Sequence, residues 1–471
     1  MFVPMSRLEI PPQEFRAVAL RMVEVASELL AQIHSLPAYP ATSGKETEQL
    51  FHAALPESGL GAGALDALKD VIGHSRPPTP RFFGYVLGSG EPVAAAADLL
   101  ASVLNQNVTA WRSSPAAVAI ERTVVEWLAQ AVGCEGMTGS LTGGGSSANL
   151  MGLAMAREAR MPANQHGAQP GMVYASDEVH MSIPKAVALL GLGRENLRLI
   201  PSDENFRMRA DELERAVEQD QRAGKRAIAI VASAGTVNTG SIDPLPEIAA
   251  IARGHGLWLH VDGAYGALAA LAAPEKFAGL SQADSLSLDP HKWLYQPLDC
   301  GCLLFREPRA ARAAFSFTGE YTRALNQVPG EAFSFFEESL ELSRRFRALK
   351  LWLSLRYHGL AAFQEAIAAD LRHAQRLAGA VDGEPRLERL APVELSAVCF
   401  RWRGQGRSED ELDRLNRAIL QRVIARGKVY ISNASIRGQF ALRACFVNHR
   451  TGEADVDAVV QEVLAAAAEV Q

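Results

Sequence analysis

The sequence predicts an α/β protein built on a mostly parallel sheet, with a helical arm before it and a smaller α+β region after it. Three observations predict this. From about residue 92 to 310, helix-like stretches alternate with short β-rich runs, the pattern of successive strand–helix units. At 471 residues the chain is too long for one ordinary core, so two or three domains are expected. A long amphipathic stretch near 339–357 then leads into a mixed region that closes on a helix near 453–470. The expected division is an arm over 1–91, a large domain over 92–345 and a small domain over 346–471.

Taken in order, residues 1–75 read as helical, with segments around 12–34 and 44–56 broken by Pro37 and Pro40. The run Arg76-Pro77-Pro78-Thr79-Pro80 separates this arm from the α/β region. The clearest strands are Ala227–Ala232, Leu257–Asp262 and Leu303–Phe305, and the loop 162–171 reads as a surface connection. The basic run Arg344-Arg345-Phe346-Arg347 reads as one face of the helix near 339–357.

Composition narrows the functions. With 48% hydrophobic and 21% charged residues the chain has the balance of a soluble globular protein. A net charge of −6 gives no electrostatic reason to approach nucleic acid or an anionic membrane. Five cysteines, an odd and small number, argue against a disulfide framework and for a reducing compartment. Cys300-Gly-Cys302 lacks a second pair or nearby histidines, so it reads as a buried strand and no metal site is expected. Glu9, Glu14 and Glu24 interrupt the first thirty residues, so no export signal is visible, and no charge-free apolar stretch is long enough to span a membrane. The chain reads as cytoplasmic.

Three motifs carry chemistry. Thr142-Gly143-Gly144-Gly145-Ser146-Ser147-Ala148-Asn149 opens a helix-like stretch, and glycines at a helix start let the backbone approach an anion closely. It lacks the lysine of a P-loop and the spacing of a dinucleotide fingerprint. Leu257-Trp258-Leu259-His260-Val261-Asp262 is an apolar strand ending in a carboxylate, at the end where open α/β sheets bind ligands. Thirty residues further on, Lys292 sits in Ser287-Leu288-Asp289-Pro290-His291-Lys292-Trp293, poor company for a solvated lysine. Lysines that form Schiff bases occupy such partly desolvated sites. A phosphate cradle, a carboxylate for a pyridinium nitrogen and an amine for an aldehyde are what pyridoxal 5'-phosphate (PLP) requires.

With these motifs the chain resembles the group II PLP-dependent amino-acid decarboxylases, most specifically in Asp289-Pro290-His291-Lys292-Trp293. Further similar stretches are Leu259-His260-Val261-Asp262-Gly263-Ala264-Tyr265 and Arg344-Arg345-Phe346-Arg347-Ala348-Leu349-Lys350-Leu351-Trp352. The resemblance implies the fold-type I PLP architecture with a seven-stranded central sheet, a homodimer with shared sites, and decarboxylation of an L-amino acid to an amine and CO2. It implies that Lys292 bonds the cofactor's aldehyde, that Asp262 pairs with the ring nitrogen and that His180 stacks on the ring. Gly145, Ser146 and His291 would hold the phosphate, and Ala264 would pack under the ring. Tyr321 falls where the family places a loop tyrosine that assists protonation after CO2 leaves, and Arg443 where relatives place an arginine near the substrate carboxylate.

The chain departs from the family in places. Gly235-Thr236-Val237 stands where the pattern is Gly-Thr-Thr, so one hydroxyl expected near the cofactor is missing, while the resemblance keeps Thr236 as a cofactor contact. Asp289 stands where many relatives have Asn. Asn107 and Thr109 stand where aromatic-specific members resemble Ile and Phe, whereas Phe82, Phe83 and Tyr85 suggest an apolar wall. An aromatic substrate is the favoured expectation. The alternatives are an acidic or small polar amino acid, or an aldehyde-forming oxidative deaminase on the same scaffold.

Overall fold

The computed structural model describes residue 6 and residues 8–317, 333–404 and 406–470. Seven strands form the central sheet: β1 (Thr138–Thr142), β2 (Met172–Ser176), β3 (Leu197–Ile200), β4 (Ala227–Ser233), β5 (Trp258–Asp262), β6 (Ser285–Leu288) and β7 (Gly301–Phe305). Their order is β1-β7-β6-β5-β4-β2-β3, and only β7 runs antiparallel to its neighbours. A second sheet, wholly antiparallel, comprises β8 (Leu387–Arg389), β9 (Ala397–Trp402), β10 (Ser432–Ile436) and β11 (Gln439–Cys445) in the order β10-β11-β9-β8.

Apart from the edge strand β3, the strands of the central sheet are buried on both faces, and the two faces belong to separate cores. Side chains alternate across a strand. Along β4, Ala229 and Val231 join one core while Ile230 and Ala232 join the other. Along β5, Leu259 and Val261 enter the core opposite Trp258, so Trp258, His260 and Asp262 share the remaining face. Helix Gly145–Arg160 packs on that face across β4 to β7. The position of Asp262 is therefore a consequence of strand periodicity.

The arm follows the expected outline in shortened form, with helices Pro12–Gln32 and Gly44–Phe51. Ser43 and Glu46 close a capping box at the second. The closing helix is Glu453–Val470. The expectation for 339–357 needs correction: the helix runs only from Ala348 to His358, after a 3-10 turn at Phe335–Glu337. The cause lies in Arg344-Arg345-Phe346-Arg347, which is not a solvated helix face. Arg344 is fully buried, pairs with Glu121 and donates to the carbonyls of Val108 (2.7 Å) and Leu141 (2.9 Å). Arg347, also buried, pairs with Asp299 and Glu341 at 3.1 and 2.7 Å. Cations committed to several different elements hold the backbone out of a regular helix until Ala348.

Candidate active site

A cavity of about 550 Å³ opens where the carboxyl ends of β4, β5 and β6 meet the start of helix Gly145–Arg160 and strands β10 and β11. Gly144, at φ 138°, turns the chain into that helix, a conformation that favours glycine. A Cβ on Gly145 would lie 2.6 Å from the Ala264 Cβ and 3.0 Å from Asp289 Oδ2, so the turn has no room for a side chain. The N–H groups of Gly145 and Ser146 belong to the first helical turn, outside the hydrogen-bond ladder and suited to an anion. His291 sits beside this turn, its Nδ1 bonded to the Cys300 carbonyl at 2.8 Å. Burial holds its imidazole below the usual histidine range.

Lys292 lines the same cavity, its Nζ 2.9 Å from Asp289 Oδ2. Asp262 is held from several sides: Asn149 Nδ2 donates to Oδ2 at 2.8 Å, and Ser287 Oγ and the Ala264 N–H donate to Oδ1 at 3.1 and 3.2 Å. Sheet register explains the Ser287 contact, because Asp262 and Ser287 are partners across β5 and β6. His180 accepts at Nδ1 from Ser182 Oγ (2.8 Å) and from the Ser182 N–H (3.2 Å). Its pKa is lowered chiefly by burial and further by Lys292, against the opposing pull of Asp262 and Asp289. The ring is thus neutral near pH 7, as a stacking partner should be.

The cavity therefore gathers Tyr85, Gly145, Ser146, His180, Asp262, Ala264, His291, Lys292 and Arg443. Other residues singled out in the sequence lie elsewhere. Thr236 is buried and its hydroxyl pairs with Thr239 Oγ1 at 2.9 Å, while its neighbours Gly235 and Val237 reach the cavity. Phe82 lies behind the wall, stacked on Tyr430 at 4.7 Å, and Tyr430 in turn meets the Tyr85 hydroxyl at 3.2 Å. Asn107 borders a separate cleft with Ser343 and Arg344, its Oδ1 accepting from the Arg344 N–H at 2.9 Å. Thr109 accepts at its carbonyl from the Phe336 N–H, and neither residue lines the cavity of its own chain. Tyr321 lies outside the described residues.

Several cavity residues were not singled out in the sequence: Asn149, Asn238, Ser432 and Asn433. Asn149 had a signal, since it lies one helical turn past Gly145. Ser432 and Asn433 arrive on β10, and no local pattern ties them to Lys292. A larger, open cleft of about 850 Å³ adjoins the cavity through Val237 and Asn238, but no lysine among the described residues lines it. Lys292 and Asp262 both line the smaller space.

A glycine turn with free N–H groups, an aspartate presented by a parallel strand and a lysine between them fit PLP, and together with the sheet order they define a PLP-dependent enzyme of fold type I. The chain belongs to the pyridoxal-dependent decarboxylase family, whose conserved domain matches residues 56–403. It is 31% identical to an aromatic-L-amino-acid decarboxylase of Bacillus atrophaeus, over 99% of this chain and 98% of that one. A solved structure of Oryza sativa TDC with PLP and tryptamine superimposes with a TM-score of 0.91 at 27% identity, covering 100% of this chain and 99% of that one. Catharanthus roseus tryptophan decarboxylase in complex with L-tryptophan gives 0.89 at 28% identity, covering the whole of both chains. The protein is a PLP-dependent amino-acid decarboxylase.

Proposed function

We propose that the substrate is an aromatic L-amino acid, converted to its amine and CO2. The observation that carries this reading is that Tyr85, Val86, Met181, Val237 and Leu298 line the cavity together with Lys292. An acidic side chain would need a cation there. Arg443, the one arginine lining the cavity among the described residues, already gives Nε, Nη1 and Nη2 to the carbonyls of Asn238, Tyr85 and Val237. The tryptamine and L-tryptophan complexes of related structures support the same choice.

PLP, when bound, supplies the sink for the electron pair left as the Cα–carboxylate bond breaks. The chain's residues do the rest. Lys292 would hold the cofactor through its aldehyde until the substrate amine takes that place. Gly145, Ser146 and His291 would hold the phosphate, Asp262 would keep a proton on the ring nitrogen, and neutral His180 would stack on the ring, with Ala264 packing against it. Thr236 acts indirectly, by fixing the turn that presents Gly235 and Val237. Arg443 orients the wall around the substrate carboxylate, and Phe82 backs Tyr85 through Tyr430. Tyr321 returns a proton to the substrate's α-carbon.

The working unit in this reading is a homodimer with shared sites, in which Asn107, Thr109 and Tyr321 serve the neighbouring subunit. Helix Pro12–Gln32 supports it: no residue of that helix is buried in the single chain, and Phe15, Leu20, Met22, Val23 and Leu30 are exposed. Helix Pro92–Leu104 likewise exposes Leu99, Leu100, Val103 and Leu104. Among the described residues no helix is long and apolar enough to cross a membrane, and all five cysteines are unpaired, which suits the cytoplasm. The test is a panel of amino acids with amine, aldehyde and peroxide measured together. Tryptophan, tyrosine or phenylalanine should give amine fastest. Faster turnover of glutamate or aspartate would overturn the substrate class, and aldehyde as the main product would overturn the reaction.

A further inference from the structure

Behind Asp262 runs a chain of buried polar groups whose protons have one consistent assignment. Trp258 Nε1 can only donate, and it lies 2.9 Å from Ser285 Oγ. Ser285 thereby accepts from Trp258 and has its own hydrogen for His260 Nδ1, 2.8 Å away. With Nδ1 accepting, neutral His260 carries its hydrogen on Nε2, which meets Asn149 Oδ1 at 2.9 Å. The Asn149 amide then points its Nδ2 hydrogens at Asp262 Oδ2 (2.8 Å) and Ser182 Oγ (2.9 Å). Ser285, His260, Asn149, Ser182 and Asp262 are all buried, so water offers no substitute partner.

A flipped amide would face its oxygen to the carboxylate. It would also require His260 to donate toward Ser285, stranding the serine's hydrogen. Both faults fall in a buried network, where a single unmatched group costs about 1–3 kcal/mol. The helix is shaped to permit the contact. Gly152, one turn past Asn149 on helix Gly145–Arg160, faces the same ring, and a Cβ there would come within 2.5 Å of His260 Nδ1.

We infer that Asn149 is a positioning residue for catalysis: oriented by His260, its amide aims the Asp262 carboxylate at the cofactor's ring nitrogen, and Gly152 is the glycine that lets His260 reach it. The inference rests on the reading of Asp262 as the partner of that nitrogen. Burial lowers the His260 pKa to about 4, so the ring keeps the neutral form that the assignment requires near pH 7.

The test uses the enzyme reconstituted with PLP labelled with 15N in the ring, together with titration of the apoenzyme by PLP. In the wild type the ring nitrogen should give the signal of a protonated pyridine. Asn149→Ala and Asn149→Asp should move it toward that of neutral pyridine and weaken PLP binding about tenfold or more, the aspartate most, since it sets a carboxylate against a carboxylate. Gly152→Ala, which adds no group to the cavity, should move the signal in the same direction by displacing His260. A wild-type nitrogen signal with PLP affinity within about twofold in folded Asn149 variants overturns the inference. If those variants do not fold, Gly152→Ala decides: shifted His260 ring signals with an unchanged cofactor signal also overturn it. Asp262→Asn is the separating control. If that variant too keeps the protonated signal, the reading of Asp262 itself fails; if it loses the signal while the Asn149 and Gly152 variants keep it, only the positioning role of Asn149 fails. Neither measurement uses an amino-acid substrate.

Discussion

Lys292 and Asp262 enter the same cavity, yet their removal should have different signatures. Lys292→Ala should lose the absorbance band of the bound cofactor and all amine output while retaining the fold, and a borohydride-reducible PLP adduct in that variant would reject the assignment. Asp262→Asn should keep its fold and lose at least about a hundredfold in turnover at saturating PLP, roughly 2.7 kcal/mol of barrier. A loss within threefold would remove the residue from the mechanism. Thr236 is the opposite case. Its hydroxyl belongs to a buried pair with Thr239, which itself meets Ser241 Oγ at 2.8 Å, and not to the cavity surface. Thr236→Val should therefore leave PLP affinity within about twofold and cost about 1–2 kcal/mol of stability, read by cofactor titration and denaturant melts. The sequence made Lys292, Asp262 and the glycine turn legible because each is a local motif. It made Thr236 look like a cofactor contact because a motif names residues and not the direction of a hydroxyl.

Strands and the closing helix followed from short-range pattern: β4 and β7 extend the predicted runs to Ser233 and back to Gly301, and β5 starts at Trp258, just inside its predicted run. The segment 339–347 did not, because its conformation answers to partners far away in sequence. Arg344 meets Glu121 and the Leu141 carbonyl at the start of the central sheet, and Lys350, fully buried, meets Asp98 at 3.0 Å and the Pro297 carbonyl at 2.8 Å. A basic, amphipathic run looks helical and solvated until those partners are known. Arg344→Ala would leave the Glu121 carboxylate without its cation, with only the Leu141 N–H (2.9 Å) still donating to it, and would take a donor from the Val108 and Leu141 carbonyls in a dry interior. A loss of about 3–5 kcal/mol is expected, visible as a lower denaturation midpoint, whereas Arg345→Ala, at a half-exposed position, should cost under about 1 kcal/mol.

At the scale of the whole molecule, the proposed homodimer with shared sites makes a prediction that a single-chain cleft would not. Mixing Lys292→Ala with Tyr321→Phe subunits under exchange conditions should restore about a quarter of wild-type amine output, because half the dimers are mixed and each carries one intact site. No recovery would place Tyr321 in its own subunit's cavity. Stability should also depend on acid. Burial depresses His260 and His449 to about 4 from an ordinary 6.5, so the unfolded chain takes up protons that the folded one refuses. Their neutral forms stabilise the fold fully above about pH 6.5, and that contribution is lost as pH falls toward 4. Melting temperature should fall over that window at fixed ionic strength, and His449→Gln should flatten the slope. The amino-acid sequence by itself determined the α/β class, the cofactor, and the motifs that meet in one cavity, because a glycine turn, a strand-end carboxylate and a lysine are each spelled within a few consecutive positions. Only the tertiary structure decided which polar groups stand behind Asp262, which hydroxyls face away, and that Arg443 is already engaged by three carbonyls. Those properties depend on strands and loops brought together from positions 85 to 443, and hydrogen-bond direction and burial exist only once they have met.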